Sequence, residues 1–200
     1  TLTNDNAIKI DYAATTDKKT VVNMTNHSYF NLNGNPAKEA MDHVLYIASD
    51  NITPIDETFA TTGEYMAVAG TPFDFNTPKV LSKDINAEND QIKYGIGFDH
   101  NWVLNTNGDI NKLAAKLTGP ETGITLEVYT DEPGIQLYTG NFLDGTVKGK
   151  KGIVYQKRAS VCLETQKYPD TPNKPHWPSA IVEPGKPYSS HTIFKFGVEK

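Results

Sequence analysis

Arginine is nearly missing from this chain. Of its 19 cationic side chains only Arg158 carries a guanidinium, the fork that grips phosphate and carboxylate with two parallel bonds. A net charge of -5 further argues against nucleic acid, which wants a basic face. The expected ligands are therefore neutral. Cysteine occurs once, as Cys162, so no internal disulfide frames the fold. Between Val161 and Leu163 it reads as a buried strand thiol. No apolar run approaches the roughly 18–20 residues that span a bilayer, so no membrane partner is expected. The first residues, TLTNDN, lack both the basic start and the apolar stretch of a secretory signal. A soluble protein is expected, with the cytoplasm favoured over the periplasm and the compartment left open. There is also no glycine-rich phosphate loop and no G-x-S-x-G nucleophile elbow.

What is present is strand chemistry. Two hundred residues suit one domain, 1–200, with a substantial core. Ile8-Lys9-Ile10-Asp11-Tyr12 alternates with a period of two, as a half-buried strand requires. Residues 20–25, 44–49, 124–130, 159–166 and 192–198 are rich in β-branched or aromatic side chains. Asn33-Gly34-Asn35-Pro36, Asn107-Gly108, Asp144-Gly145 and Glu183-Pro184-Gly185 punctuate them as turns. Residues 110–117 are the best helical stretch, and they read equally as a turn entering a strand. Two loops stand out: the turn-rich 48–70, and 168–178, which holds four prolines and Trp177. Many short strands at such spacing predict an all-β antiparallel sandwich or barrel.

Four places could carry chemistry. His27, in TNHSYFNL at the expected exit of an apolar strand, can exchange a proton near neutral pH; a structural histidine is the alternative. Glu164 follows the apolar run SVCL. A carboxylate there is partly desolvated, which raises its pKa toward general-base work; a solvated strand glutamate fits the pattern too. Asp99 and His100 sit between Gly97 and Trp102. Adjacent residues on a strand point to opposite faces, and no second cluster has ligand spacing, so a catalytic metal is not expected. Carboxylates and amides such as Asp99 and Gln136 suit sugar hydroxyls, although Gln136 could equally mark a polar strand face.

Taken in order, TNHSYFNLNG, TPIDE with TGE, GTPFDF, GFDHNWVL, LEVYTDEPGIQLYTGNFLDG and CLETQKYPDTPN resemble the sequence blocks of the aldose 1-epimerase (galactose mutarotase) family. The blocks run almost the whole chain. This resemblance implies a large antiparallel β-sandwich of the galactose mutarotase type, and an isomerase that interconverts the α and β anomers of free hexoses such as galactose and glucose. It implies His27 as the acid that protonates ring oxygen O5 and Glu164 as the base at the C1 hydroxyl. Asp99 and Gln136, with Asn26 beside the histidine, are implied contacts to the sugar. No cofactor is required by this chemistry, and a structural calcium or sodium ion on a loop carboxylate is compatible with it.

The chain departs from the family in one respect. Family members carry an upstream half with an asparagine-arginine motif and a histidine in a Leu-His-Gly-Gly motif, and neither an Asn-Arg pair nor a His-Gly-Gly occurs here. The resemblance thus implies the C-terminal part of a longer sandwich, incomplete in this chain, with the N-terminal half of the same enzyme as its partner, cleaved or separately encoded; a degenerate form of the family is the alternative, less favoured because the catalytic blocks look intact. Two alternatives belong to other classes. A non-catalytic carbohydrate-binding β-sandwich module would use Trp102, Trp177 and tyrosines as stacking surfaces. A glycosidase would call for paired carboxylates where this chain offers a histidine and a glutamate.

Overall fold

In the computed structural model, residues 1–199 are described. The strands are β1 (Ala7–Ala14), β2 (Thr20–Val21), β3 (Val44–Ile47), β4 (Ser49–Thr53), β5 (Met66–Ala67), β6 (Lys79–Val80), β7 (Asp99–Leu104), β8 (Ala115–Thr118), β9 (Ile124–Thr130), β10 (Gly134–Tyr138), β11 (Cys162–Gln166), β12 (Ile181–Val182) and β13 (Tyr188–Val198). One short helix, α1 (Asp90–Gly95), is capped by the Asn89 side chain, which accepts from the Gln91 and Ile92 amides. Two larger sheets follow, in the orders β1-β13-β9-β8-β3-β6 and β11-β10-β7-β4-β5, while β2 and β12 pair separately. Every pairing in them is antiparallel.

Alternation explains why the two sheets close on each other. In the first, Phe194 lies opposite Val128 and Phe196 opposite Leu126, so these apolar side chains share one face. In the second, Ile135, Leu137, Leu163 and Trp102 project inward. All belong to one buried apolar cluster, each worth about 1.5–3 kcal/mol on full burial. The result is a sandwich, the one of the two architectures left open by strand spacing that the family resemblance implied. Trp102 is fully buried against Phe73, Phe75 and Phe98 and donates its indole N–H to the Phe73 carbonyl at 3.0 Å.

Several boundaries differ from the sequence reading, for local reasons. The stretch 44–49 is two strands in different sheets, separated at Ala48. There the single Ser49 hydroxyl proton is donated between the carbonyls of Asn51 (2.7 Å) and Val103 (2.5 Å), and the register shifts. The stretch 110–117 is a turn that enters β8. The strand expected over 20–25 stops at Val21, because the Asn23 side chain takes the place of a backbone ladder. Its carboxamide donates to the Lys167 carbonyl and accepts from the Lys167 amide, both at 2.9 Å. Ile8, though on the inner face of β1, stays 41% exposed because β1 is an edge strand.

Candidate active site

The outward face of the second sheet is built by strand parity. β10 lies between β7 and β11. Gln136 faces Glu164 on one side and Asn101 on the other; Tyr138 faces Cys162 and Asp99; Gly134 faces Gln166 and Val103. Directly opposed residues point the same way. Since Ile135, Leu137 and Leu163 point into the core, Asp99, Gln136, Tyr138, Cys162, Glu164 and Gln166 all share the other face. Gly134 is required within this face: a Cβ there would sit 2.4 Å from Asn101 Oδ1 and 2.9 Å from the Tyr168 ring.

His27 reaches this face from a different kind of backbone. Residues 22–29 form no strand, which corrects the expectation of a histidine at a strand exit. The segment is held at one end by the Asn23–Lys167 pair and at the other by Phe30, which exchanges two 2.8 Å backbone bonds with Val161. Both anchors lie at the two ends of β11, the strand that carries Glu164. Between them His27 Nε2 comes within 3.3 Å of Glu164 Oε1. The imidazole is stacked on Tyr29 (4.9 Å between centroids) and edge-on to Tyr138 (6.0 Å).

The two partners differ in environment. The His27 side chain is 47% exposed and that of Glu164 only 10%. Burial, and secondarily the charge of Asp99, pushes the Glu164 carboxyl up to about 7, where a base can both hold and release its proton near neutrality. Asp99 is likewise raised by burial, against the opposing pull of a hydrogen bond from Gln136 and the charge of His27. Gln136 Nε2 donates to Asp99 Oδ1 at 2.8 Å, and Gln166 Nε2 donates to Gln136 Oε1 at 3.2 Å. These amides fix one another's orientation on the cleft floor.

The cleft is open, about 430 Å³ in volume, and its walls add Tyr29, Phe142 and Pro169 to these groups. Four of the five sequence candidates, His27, Glu164, Asp99 and Gln136, meet there. Asn26 does not line it; its carboxamide oxygen turns back to accept from the Ser28 amide at 3.1 Å. Gln166 and Tyr138 were not singled out from the sequence. Period-two spacing from Glu164 and Gln136 could have found both, because each lies two residues along the same strand. A wider depression beside α1, about 790 Å³, shares no residue with the cleft and is lined by charges of both signs, among them Asp90, Lys93 and Lys157.

Other chemistry-bearing residues turn inward. His100 is fully buried, 4.8 Å from the Phe73 ring, and desolvation drives its imidazole down to about 3. It points away from Asp99, as strand alternation demands. Trp102 and Trp177 are buried at 0% and 4% exposure, so neither is the stacking platform that a binding module would need.

Comparison with known proteins adds an independent line. The family described as aldose 1-epimerase matches residues 1–195. A galactose mutarotase from Mus musculus is 46% identical over 189 residues, which is 94% of this chain and 54% of the mouse protein. An aldose 1-epimerase from Escherichia coli is 40% identical over 200 residues, 99% of this chain and 57% of its own length. Among solved structures, an aldose epimerase homologue from C. elegans superposes with a TM-score of 0.87 at 29% identity, over 98% of this chain and 57% of that one. A galactose 1-epimerase from Lactobacillus acidophilus superposes with a TM-score of 0.82 at 30% identity, over 100% of this chain and 55% of that one. The chain thus spans about half the length of the relatives it matches. A fold of the galactose mutarotase type and a family match over nearly the whole sequence agree, and the chain belongs to the aldose 1-epimerase family.

Proposed function

We propose that the protein interconverts the α and β anomers of free hexoses such as galactose and glucose, with Glu164 as the base and His27 as the acid. The observation that carries this reading is the His27–Glu164 pair, 3.3 Å apart at the mouth of a polar cleft, with the carboxyl pushed up to about 7. Anomer exchange needs a proton to leave O1 and another to reach O5 while the C1–O5 bond opens. Both oxygens are bonded to C1, so an acid and a base standing side by side reach them together. Each such transfer is worth about 10²- to 10⁴-fold in rate. The open aldehyde turns about C1–C2, and the ring closes with the two roles reversed. Asp99 and Gln136 hold sugar hydroxyls. Carboxylate and amide bonds to a neutral ligand need no arginine, in keeping with a chain that has one. No redox group or metal takes part in this scheme.

The relatives have nearly twice this chain's length, and we infer that an upstream half, joined or separate, supplies the rest of the sugar pocket. Polarimetry on freshly dissolved α-D-galactose and α-D-glucose tests the reading, with this chain alone and with an upstream half added. Glu164→Gln should abolish the acceleration, by about 10²-fold or more, while the circular dichroism of the folded protein is unchanged. Full activity in that variant would remove Glu164 as the base.

A further inference from the structure

The acid-base pair does not use every reactive atom of its site. Cys162 stands two residues before Glu164 on β11, so their side chains share a face. The Cys162 sulfur, a Glu164 carboxylate oxygen and a His27 ring nitrogen all lie within 4.8 Å of one another. Nothing in proton transfer between O1 and O5 asks for a thiol at this position; a small apolar side chain would serve the strand equally well. We propose that Cys162, Glu164 and His27 together form a binding site for a soft or borderline divalent cation of the zinc or cadmium class.

Three physical features support it. First, the geometry is close to what such an ion needs. Bonds of about 2.0–2.3 Å to sulfur, nitrogen and oxygen set tetrahedral donors about 3.3–3.6 Å apart. The His27 and Glu164 donors are already 3.3 Å apart and the sulfur lies within 4.8 Å of both, so seating an ion draws the three donors together by about 1 Å. Second, the charges cancel. A thiolate, a carboxylate and a neutral imidazole bring two negative charges to a doubly positive ion, so the buried site ends neutral. Binding breaks the S–H bond, forms a sulfur–metal bond and releases to solvent the thiol proton and any proton held by the Glu164 carboxyl. Third, the donor set is selective. Thiolate and imidazole suit zinc and its heavier relatives, whereas magnesium and calcium prefer an all-oxygen shell. The fourth position faces the cleft and would hold water. An ion seated there takes both members of the pair out of proton transfer, so the site is inhibitory.

The test is a titration of the 200-residue chain with cadmium chloride, followed by the ultraviolet thiolate-to-cadmium charge-transfer band. Cys162 is the sole cysteine, so the band reports this sulfur alone. The expected result is a band that saturates at one cadmium per chain and vanishes in Cys162→Ser. Loss of an outer-shell partner commonly weakens metal sites by about 10- to 100-fold, so Glu164→Gln and His27→Gln should each weaken binding at least tenfold. Cadmium-113 NMR of the parent, with a shift for mixed sulfur, nitrogen and oxygen coordination, gives the same answer should a variant fail to fold. Absence of the band, a sulfur-only cadmium shift, or affinity equal to the parent's in both ligand variants would overturn the site. Because the readout needs no turnover, its failure is separate from any failure of the mutarotase reading.

Discussion

Replacing Glu164 with glutamine should make the protein more stable at alkaline pH while destroying its proposed chemistry. The carboxyl is pushed from 4.5 up to about 7, mainly by burial. At about 1.4 kcal/mol per unit, that difference is worth about 3 kcal/mol between the protonated and ionised forms. The site opens to a cleft and the side chain keeps 10% exposure, so solvent screening brings the expected value to about 2 kcal/mol. The direction follows from proton counting. The unfolded chain loses this proton near 4.5 and the folded chain only near 7. Between those values the folded state binds more protons, and its stability falls as pH rises. Glutamine has no such proton. Urea unfolding of parent and variant at about pH 4.5 and about pH 8 should therefore show the difference in unfolding free energy moving by about 2 kcal/mol in the variant's favour. A difference that stays constant with pH, or that grows in favour of the parent, would refute the claim that desolvation loads this carboxyl.

Two further outcomes follow from the same face of the sheet. Asp99→Asn removes the neighbouring negative charge, the lesser of the two causes acting on Glu164. The Glu164 pKa should fall by about one unit or less and remain above the usual glutamate value, because burial persists; carbon-13 NMR titration of labelled glutamate carboxyls measures it, and an upward move would contradict the assigned cause. Gly134→Ala puts a methyl group 2.4 Å from Asn101 Oδ1, so it should cost about 1–3 kcal/mol in denaturant unfolding through overpacking, and an unchanged midpoint would show that the cleft floor has slack.

Alternation located β1, and enrichment in β-branched or aromatic residues located β9 and the later part of β13, which begins earlier, at Tyr188; the lack of a long amphipathic stretch agrees with the lack of a long helix among the described residues. Spacing was less informative where side chains replace backbone pairing. Asn23 bonding across to Lys167 and Ser49 bonding to Val103 are contacts over 144 and 54 residues, and no local pattern announces them. Those two contacts are why one expected strand ended early and another divided between sheets.

The sequence by itself carried the family resemblance and the strand pattern. A near absence of arginine pointed to a neutral ligand and short alternating strands to a sandwich or barrel, while the blocks that resemble the aldose 1-epimerase family implied a sugar and acid-base work at His27 and Glu164. Parity along β11 could also have put Glu164, Gln166 and Cys162 on one face, although of the three only Glu164 was singled out. Only the tertiary structure decided that this face meets His27. The histidine lies 137 positions from Glu164 in the chain and sits on backbone with no period to read. Its place depends on anchors at both ends of β11, and it is the closeness set by those anchors, together with burial by neighbours remote in sequence, that turns an ordinary glutamate into one poised near neutrality.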